Sequence, residues 1–174
     1  MTGQAAVQLA SAAGAKVIAV ERHRDSYAGH AKSAVDVLDL RKETLVDGLK
    51  ARTGGRGADI IFNSVGSPYF GDATNALAKK GRQIIISTFV EDVPINLRVF
   101  YRGNQRLIGV SNLDNDHADS GDIMDALRPG FEAGDLKPFP VLDDHLFTLD
   151  TVTDGYALAL KGETRERIYI NPRG

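Results

Sequence analysis

Short runs of branched aliphatic residues alternate with helix-compatible stretches along most of this chain, and no other feature narrows its fold so far. Residues 16–20, 35–40, 58–65, 83–88 and 106–111 read as strands, while 3–13, 42–52 and 69–79 read as helices. The polar stretch 26–34 is also helix-compatible. Gly14 is placed to end the first helix, and the Gly54-Gly55-Arg56-Gly57 cluster to turn the chain into the next strand. Strands that are apolar on both faces and separated by helices imply a parallel sheet covered on both sides. After Ser111 the texture changes. A helix is expected over 119–133, interrupted or bent near Pro129-Gly130, because proline removes a backbone donor and collides with the preceding turn. A segment over 138–147, a helix over 150–161 and a strand over 167–170, stopped by Pro172, complete the chain.

Composition excludes several functions. With 43% hydrophobic and 25% charged residues among 174, the chain is an ordinary folded domain with room for one small appendage. A net charge of -2 provides no basic field for nucleic acid. Zero cysteines remove disulfides, thiolate nucleophiles and Cys-ligated zinc, and His23, His30, His117 and His145 share no metal-ligand spacing, so no metal is expected. Each histidine is assigned to a surface or a helix end. The start Met1-Thr2-Gly3-Gln4 lacks signal-peptide character and no apolar run approaches membrane-spanning length, which makes a cytoplasmic chain the expectation. There is no Tyr-x-x-x-Lys pair, G-x-S-x-G elbow or phosphate-binding G-x-x-x-x-G-K-[ST] loop.

Open parallel sheets bind ligands at the carboxyl ends of their strands. Glu21 follows the strand 16–20, where an acidic side chain can hold ribose hydroxyls, and Arg22 and Arg24 are guanidinium groups that can instead hold a 2′-phosphate. Asn63, Val65 and Gly66 end one strand, and Ser87 and Thr88 end another. Gly3 and Gln4 open the first helix, whose free N–H groups and dipole favour an anion.

The order of Gly3-Gln4-Ala5-Ala6-Val7-Gln8-Leu9-Ala10, Gly14-Ala15-Lys16-Val17-Ile18, Gly57-Ala58-Asp59-Ile60-Ile61-Phe62-Asn63-Ser64-Val65-Gly66, Arg106-Leu107-Ile108-Gly109-Val110-Ser111 and Arg167-Ile168-Tyr169-Ile170-Asn171-Pro172 resembles the medium-chain dehydrogenase/reductase superfamily. The match is to the nucleotide-binding half of its quinone oxidoreductase and zinc-type alcohol dehydrogenase-like members. Gly3 resembles the last glycine of the G-x-G-x-x-G fingerprint, with the preceding strand and two glycines absent from this sequence. The resemblance implies a Rossmann-like, doubly wound parallel sheet lacking its first strand, over 1–134. A short C-terminal α+β segment, 135–174, would pack back on a catalytic domain. It implies NAD or NADP as cofactor and hydride transfer involving a quinone, carbonyl, alcohol or activated alkene. In this reading Val110 and Ser111 lie on the nicotinamide side, and Arg165 and Arg167 resemble the basic position that reaches a cofactor phosphate. Leu40 and Asp25 stand where NADP-using relatives carry a tyrosine and a lysine, which favours NAD.

The residues that polarise substrate would lie outside this chain, so no catalytic residue is assigned and the chain alone is expected to be inactive. A homodimer through the strand 106–110 is the implied assembly, unless the segment 91–101 covers that edge. Two alternatives remain at this level: a class I S-adenosylmethionine-dependent methyltransferase, whose sheet also carries an acidic residue after its second strand, and a non-catalytic nucleotide-binding module.

Overall fold

The computed structural model describes residues 2–162 and 167–173. The elements run α1 (Thr2–Ala12), β1 (Val17–Glu21), β2 (Val35–Asp39), α2 (Leu45–Arg52), β3 (Ala58–Asn63), α3 (Ser67–Ala76) and β4 (Leu77–Ile85). They continue through α4 (Leu97–Arg102), β5 (Arg106–Gly109), α5 (His117–Glu132), β6 (Leu146–Thr148), α6 (Val152–Lys161) and β7 (Tyr169–Asn171). The fold is α/β and every strand pairing is parallel.

The strands fall into separate sheets of order β1-β2, β3-β4-β5 and β6-β7. One buried cluster joins the first two: Leu38 of β2, Leu45 and Leu49 of α2, and Ala73 and Ala76 of α3, with Ile18 of β1 and Ile61 of β3 packed against it. So β1 and β3 border a common core without sharing a hydrogen bond. Among the described residues each is left with one unpaired edge, as the resemblance to a doubly wound sheet lacking its first strand implies. Val20 is 43% exposed, Ile60 48% and Phe62 37%, although interior strands of parallel sheets normally bury such residues.

Several sequence expectations are corrected. The stretch 26–34 is not helical. The Tyr27 ring folds across Gly29, whose added Cβ would lie 2.4 Å from the tyrosine oxygen. The backbone N–H of Ser33 donates to Ser11 Oγ at 2.8 Å, tying this stretch to α1. α3 ends at Ala76 rather than at residue 79, and β4 starts at Leu77. The register with β3 slips between the pairs Ala58–Leu77 and Ile60–Arg82, next to Lys80 in the left-handed region at φ 63°. α4 was not anticipated. Its N-terminus is capped by Asn96, which accepts from the Val99 N–H at 3.2 Å. α5 starts at His117 behind a capping box between Asp116 and Asp119, and it passes through Pro129 as one helix. The last strand is Tyr169–Asn171 rather than 167–170.

Asp39, at the end of β2, is 4% exposed. It accepts from the backbone N–H and Nε of Arg41 at 3.0 and 2.8 Å, and Lys42 Nζ lies 3.6 Å away. The side-chain hydrogen bond from Arg41, opposed by burial and assisted by the two cationic charges, holds this carboxyl well below the usual carboxylate range. A folded-state pKa below the unfolded one stabilises fully above the unfolded value, about 3.9 for Asp, and the contribution is lost as pH falls toward the folded value. The urea midpoint should therefore hold from pH 7 to 5 and decline below about pH 4. Arg41→Ala should lower the neutral midpoint and flatten that decline; an unchanged acid slope would show that Asp39 is not its source.

Candidate functional site

The short turn after α1 forces the helix to run antiparallel to β1. Eleven helical residues and five strand residues both span about 16 Å, so the first turn of α1 sits beside the carboxyl end of the strand. A cavity of about 330 Å³ opens there, lined by Gln4, Gln8, Gly29, His30, Lys137 and Arg167 among others. Its wall is held by contacts far apart in sequence. The buried Gln8 donates through Nε2 to the Lys137 carbonyl at 3.2 Å and accepts from the Lys137 N–H at 2.8 Å. His30 Nε2 donates to the Asp135 carbonyl at 3.1 Å, and Lys32 pairs with the Asp135 carboxylate at 2.6 Å. The Arg167 guanidinium lies 5.9 Å from the centre of the Phe139 ring, within cation–π range. Gln4, Lys137 and Arg167 give this end of α1 donors and positive charge suited to a phosphate.

A second cavity, about 160 Å³, lies at the carboxyl ends of β3 and β4 and includes Gly66, Phe70, Thr88 and Glu91 in its lining. Asn63 shapes its wall. Buried at the end of β3, its Oδ1 accepts from the N–H groups of Val65 and Gly66 at 3.2 and 2.8 Å, and its Nδ2 donates to the Gly66 carbonyl at 3.0 Å. The Asn63 amide is thus engaged in its own turn. Gly66 has φ 92° and lies against the Ser87–Thr88 backbone. Thr88 Oγ donates to the Val90 carbonyl at 2.8 Å. Val110 continues the adjacent edge, its N–H donating to the Ile85 carbonyl at 2.9 Å, and Ser111 Oγ accepts from the Leu113 N–H at 3.2 Å.

Glu21 ends β1, and its carbonyl accepts from the Leu40 N–H at 2.8 Å. Arg22 is exposed and Arg24 half-buried beside it. Burial, and then the negative charge of Glu21, pushes the nearby Tyr27 hydroxyl up from its ordinary value. Lys42 Nζ lies 3.8 Å from Asp25 and 3.6 Å from Asp39, so a lysine absent from the local 21–25 sequence is delivered there by the loop after β2.

The fold therefore brings Gln4 together with Arg167, and Gly66 together with Ser87 and Thr88. Gly3, at the start of α1, touches nothing that a Cβ would meet. Arg165 lies outside the described residues. Lys137, His30 and Lys42 were not anticipated as site neighbours. Gln8 was legible one turn along the helix face from Gln4, but its partner Lys137 is 129 residues away.

Parallel strands that present their loops on one edge, with a helix opening onto that edge, are the architecture of a Rossmann-like domain. Residues 2–127 match the zinc-binding dehydrogenase family, and the chain belongs to it. It is 26% identical over 176 residues to a quinone oxidoreductase-like protein 2 homolog of Nematostella vectensis, covering 98% of this chain and 48% of that protein. It is 32% identical over 132 residues to a lovastatin diketide synthase of Aspergillus terreus, covering 72% of this chain and 5% of the synthase. Among solved structures, Escherichia coli quinone oxidoreductase complexed with NADPH superposes with a TM-score of 0.73 at 21% identity, covering 98% of this chain and 53% of that one. The chain thus spans about half the length of the quinone oxidoreductases that it matches.

The family name implies zinc. No group of His, Asp or Glu among the described residues is arranged to hold a metal ion, and the sequence has no cysteine, so the residues present do not fit one. No described helix is long and apolar enough to cross a membrane.

Proposed function

We propose that this chain is the cofactor-binding portion of an NAD(P)-dependent oxidoreductase that moves hydride between nicotinamide and a quinone, carbonyl, alcohol or activated alkene. One observation carries the reading: Gln4 and Arg167, from opposite ends of the chain, line one cavity at the first turn of α1. When bound, the nicotinamide supplies the hydride chemistry. The chain's residues bind and orient it. Gln4, Arg167 and Lys137 hold phosphate, Glu21 accepts from the ribose hydroxyls, the Gly66 and Thr88 loops border the cleft, and Val110 and Ser111 flank its nicotinamide side. Residues 135–174 form the segment that meets a catalytic domain, and the isolated chain is inactive because no described residue polarises a substrate.

Glu21 also decides between the cofactors, since a carboxylate beside a 2′-phosphate is repulsive. Fluorescence titration should give NADH at least as tight as NADPH, and Glu21→Ala should narrow any gap. A clear preference of the unmutated chain for NADPH would move the adenosine-end role to Arg22, Arg24 or Lys42. A thermal-shift panel with NADH, NADPH and S-adenosylmethionine separates the dinucleotide reading from a methyltransferase, because a ligand binding only the native state stabilises it.

The assembly we propose is a homodimer through β5. Among the described residues this strand pairs only with β4, and Leu107 and Ile108 are each 37% exposed along it. An apolar edge with open backbone groups is a template for a second strand, and an antiparallel self-contact satisfies a twofold axis. The Ile108 N–H faces β4, as that of Val110 does, so Leu107→Pro is the variant that removes a donor from the free edge, and it should convert a dimer to a monomer in sedimentation. A monomeric parent chain, or an unchanged dimer, would place any association elsewhere.

A further inference from the structure

We propose that Gln8 is a positioning residue of the cofactor site: it fixes the backbone at Lys137 and, through that segment, sets the Lys137 and Arg167 cations at the cavity beside α1. This rests on the cofactor reading above and adds how its cationic wall is held. Gln8 is 6% exposed, and both ends of its carboxamide engage one residue. Nε2 donates to the Lys137 carbonyl at 3.2 Å and Oε1 accepts from the Lys137 N–H at 2.8 Å. The side chain thus mimics the paired exchange of a β-ladder and fixes the peptide in both position and direction. Gln8 lines the cavity one helical turn from Gln4, but with its carboxamide so engaged it acts through Lys137 rather than on a ligand.

The segment around Lys137 is tied down on both sides. Ahead of it, the Asp135 carbonyl accepts from His30 Nε2 and the Asp135 carboxylate pairs with Lys32. Leu136 is 6% exposed, and its N–H donates to the Gly130 carbonyl at 3.0 Å. Beyond it, the Phe139 ring meets the Arg167 guanidinium at 5.9 Å. Both cations therefore depend on residues 135–139, Lys137 directly and Arg167 through the ring. The ties differ in strength. An ion pair in contact with water, such as Lys32–Asp135, is screened and holds little, whereas removing one partner of a buried hydrogen bond leaves the other unsatisfied. A cation carried on a fixed backbone gives up less freedom when it meets a phosphate, so placement here becomes affinity.

The test uses the full chain. Gln8→Met keeps the side-chain length and helix propensity and removes both hydrogen bonds. It should weaken NADH about tenfold in fluorescence titration, as expected when charge-assisted contacts to phosphate are misplaced. Its NADH affinity should also depend less steeply on salt than that of the parent, because fewer cations meet the ligand. Leu49→Val, in the core cluster and outside the cavity lining, is the control for general loss of stability: it should lower Tm and leave NADH affinity and its salt dependence unchanged. Amide exchange at Lys137, followed by NMR, reads the contact itself. It should be slowed by NADH in the unmutated chain, since linkage is reciprocal, and be faster in Gln8→Met. Parent-like NADH affinity in Gln8→Met, an equal loss in Leu49→Val, or Lys137 exchange indifferent to NADH would overturn the positioning role and leave the cofactor assignment standing. A parent chain that binds no NADH would overturn the assignment and this role together.

Discussion

A short apolar strand and a glycine turn fused ahead of Met1 should raise the Tm of this chain and tighten NADH binding in the same variant. The two effects share one cause. A strand seated between β1 and β3 would bury Val20, Ile60 and Phe62, which are now 43%, 48% and 37% exposed. Burying such side chains is worth roughly 1.5–3 kcal/mol each when complete, and they are already partly covered, so a gain of about 3 kcal/mol is the reasonable scale. For a domain of this size that corresponds to a Tm rise of about 10 °C. The same strand would end at the carboxyl edge, where α1 begins, and its glycine turn would add backbone donors beside Gln4 and Arg167. Differential scanning calorimetry and NADH titration of parent and fusion read both quantities. A Tm rise without tighter NADH would separate the sheet from the cofactor site; no change in either would count against aligning Gly3 with the last glycine of the fingerprint.

Gly66→Ala should be among the most damaging single substitutions in the chain. At φ 92° any side chain is strained, and the new Cβ would lie 2.2 Å from the Ser87 carbonyl oxygen and 2.5 Å from Thr88 Cα. Both neighbours are backbone, so relief requires the β3 and β4 loops to separate. Separation would disturb the hydrogen bonds that Asn63 makes to Val65 and Gly66. A loss of about 3 kcal/mol, seen as a Tm lower by about 10 °C, is the expected scale. Gly3→Ala is the matched control, because nothing lies within 4 Å of its added Cβ. Similar stability in the two variants would remove the close approach at Gly66 as a structural requirement.

The strands were legible because a parallel strand buried on both faces is largely apolar, and a run such as Ile84-Ile85-Ile86 fits that requirement. The carboxyl-edge residues were legible for a related reason: once strands and parallel order are known, strand ends define the ligand edge. Local propensity failed where tertiary contacts outweighed it. The stretch 26–34 reads as helix-compatible, yet Ser33 bonds to Ser11 and His30 to the Asp135 carbonyl. α4 has six residues, too few for a periodic pattern, and its signal was the cap Asn96.

What the sequence by itself determined was the class of fold, the order of its elements and the loops that form the ligand edge, all of which follow from periodicity and short-range turn chemistry. Only the tertiary structure decided that the strands divide between β1 and β3, that Lys42 reaches Asp25, and that Lys137 and Arg167 join Gln4 at one cavity. Periodicity records which face of an element is buried but not what is buried against it. Contacts spanning 129 residues, such as the pair of hydrogen bonds between Gln8 and Lys137, arise when the chain closes on itself, and no local pattern encodes them.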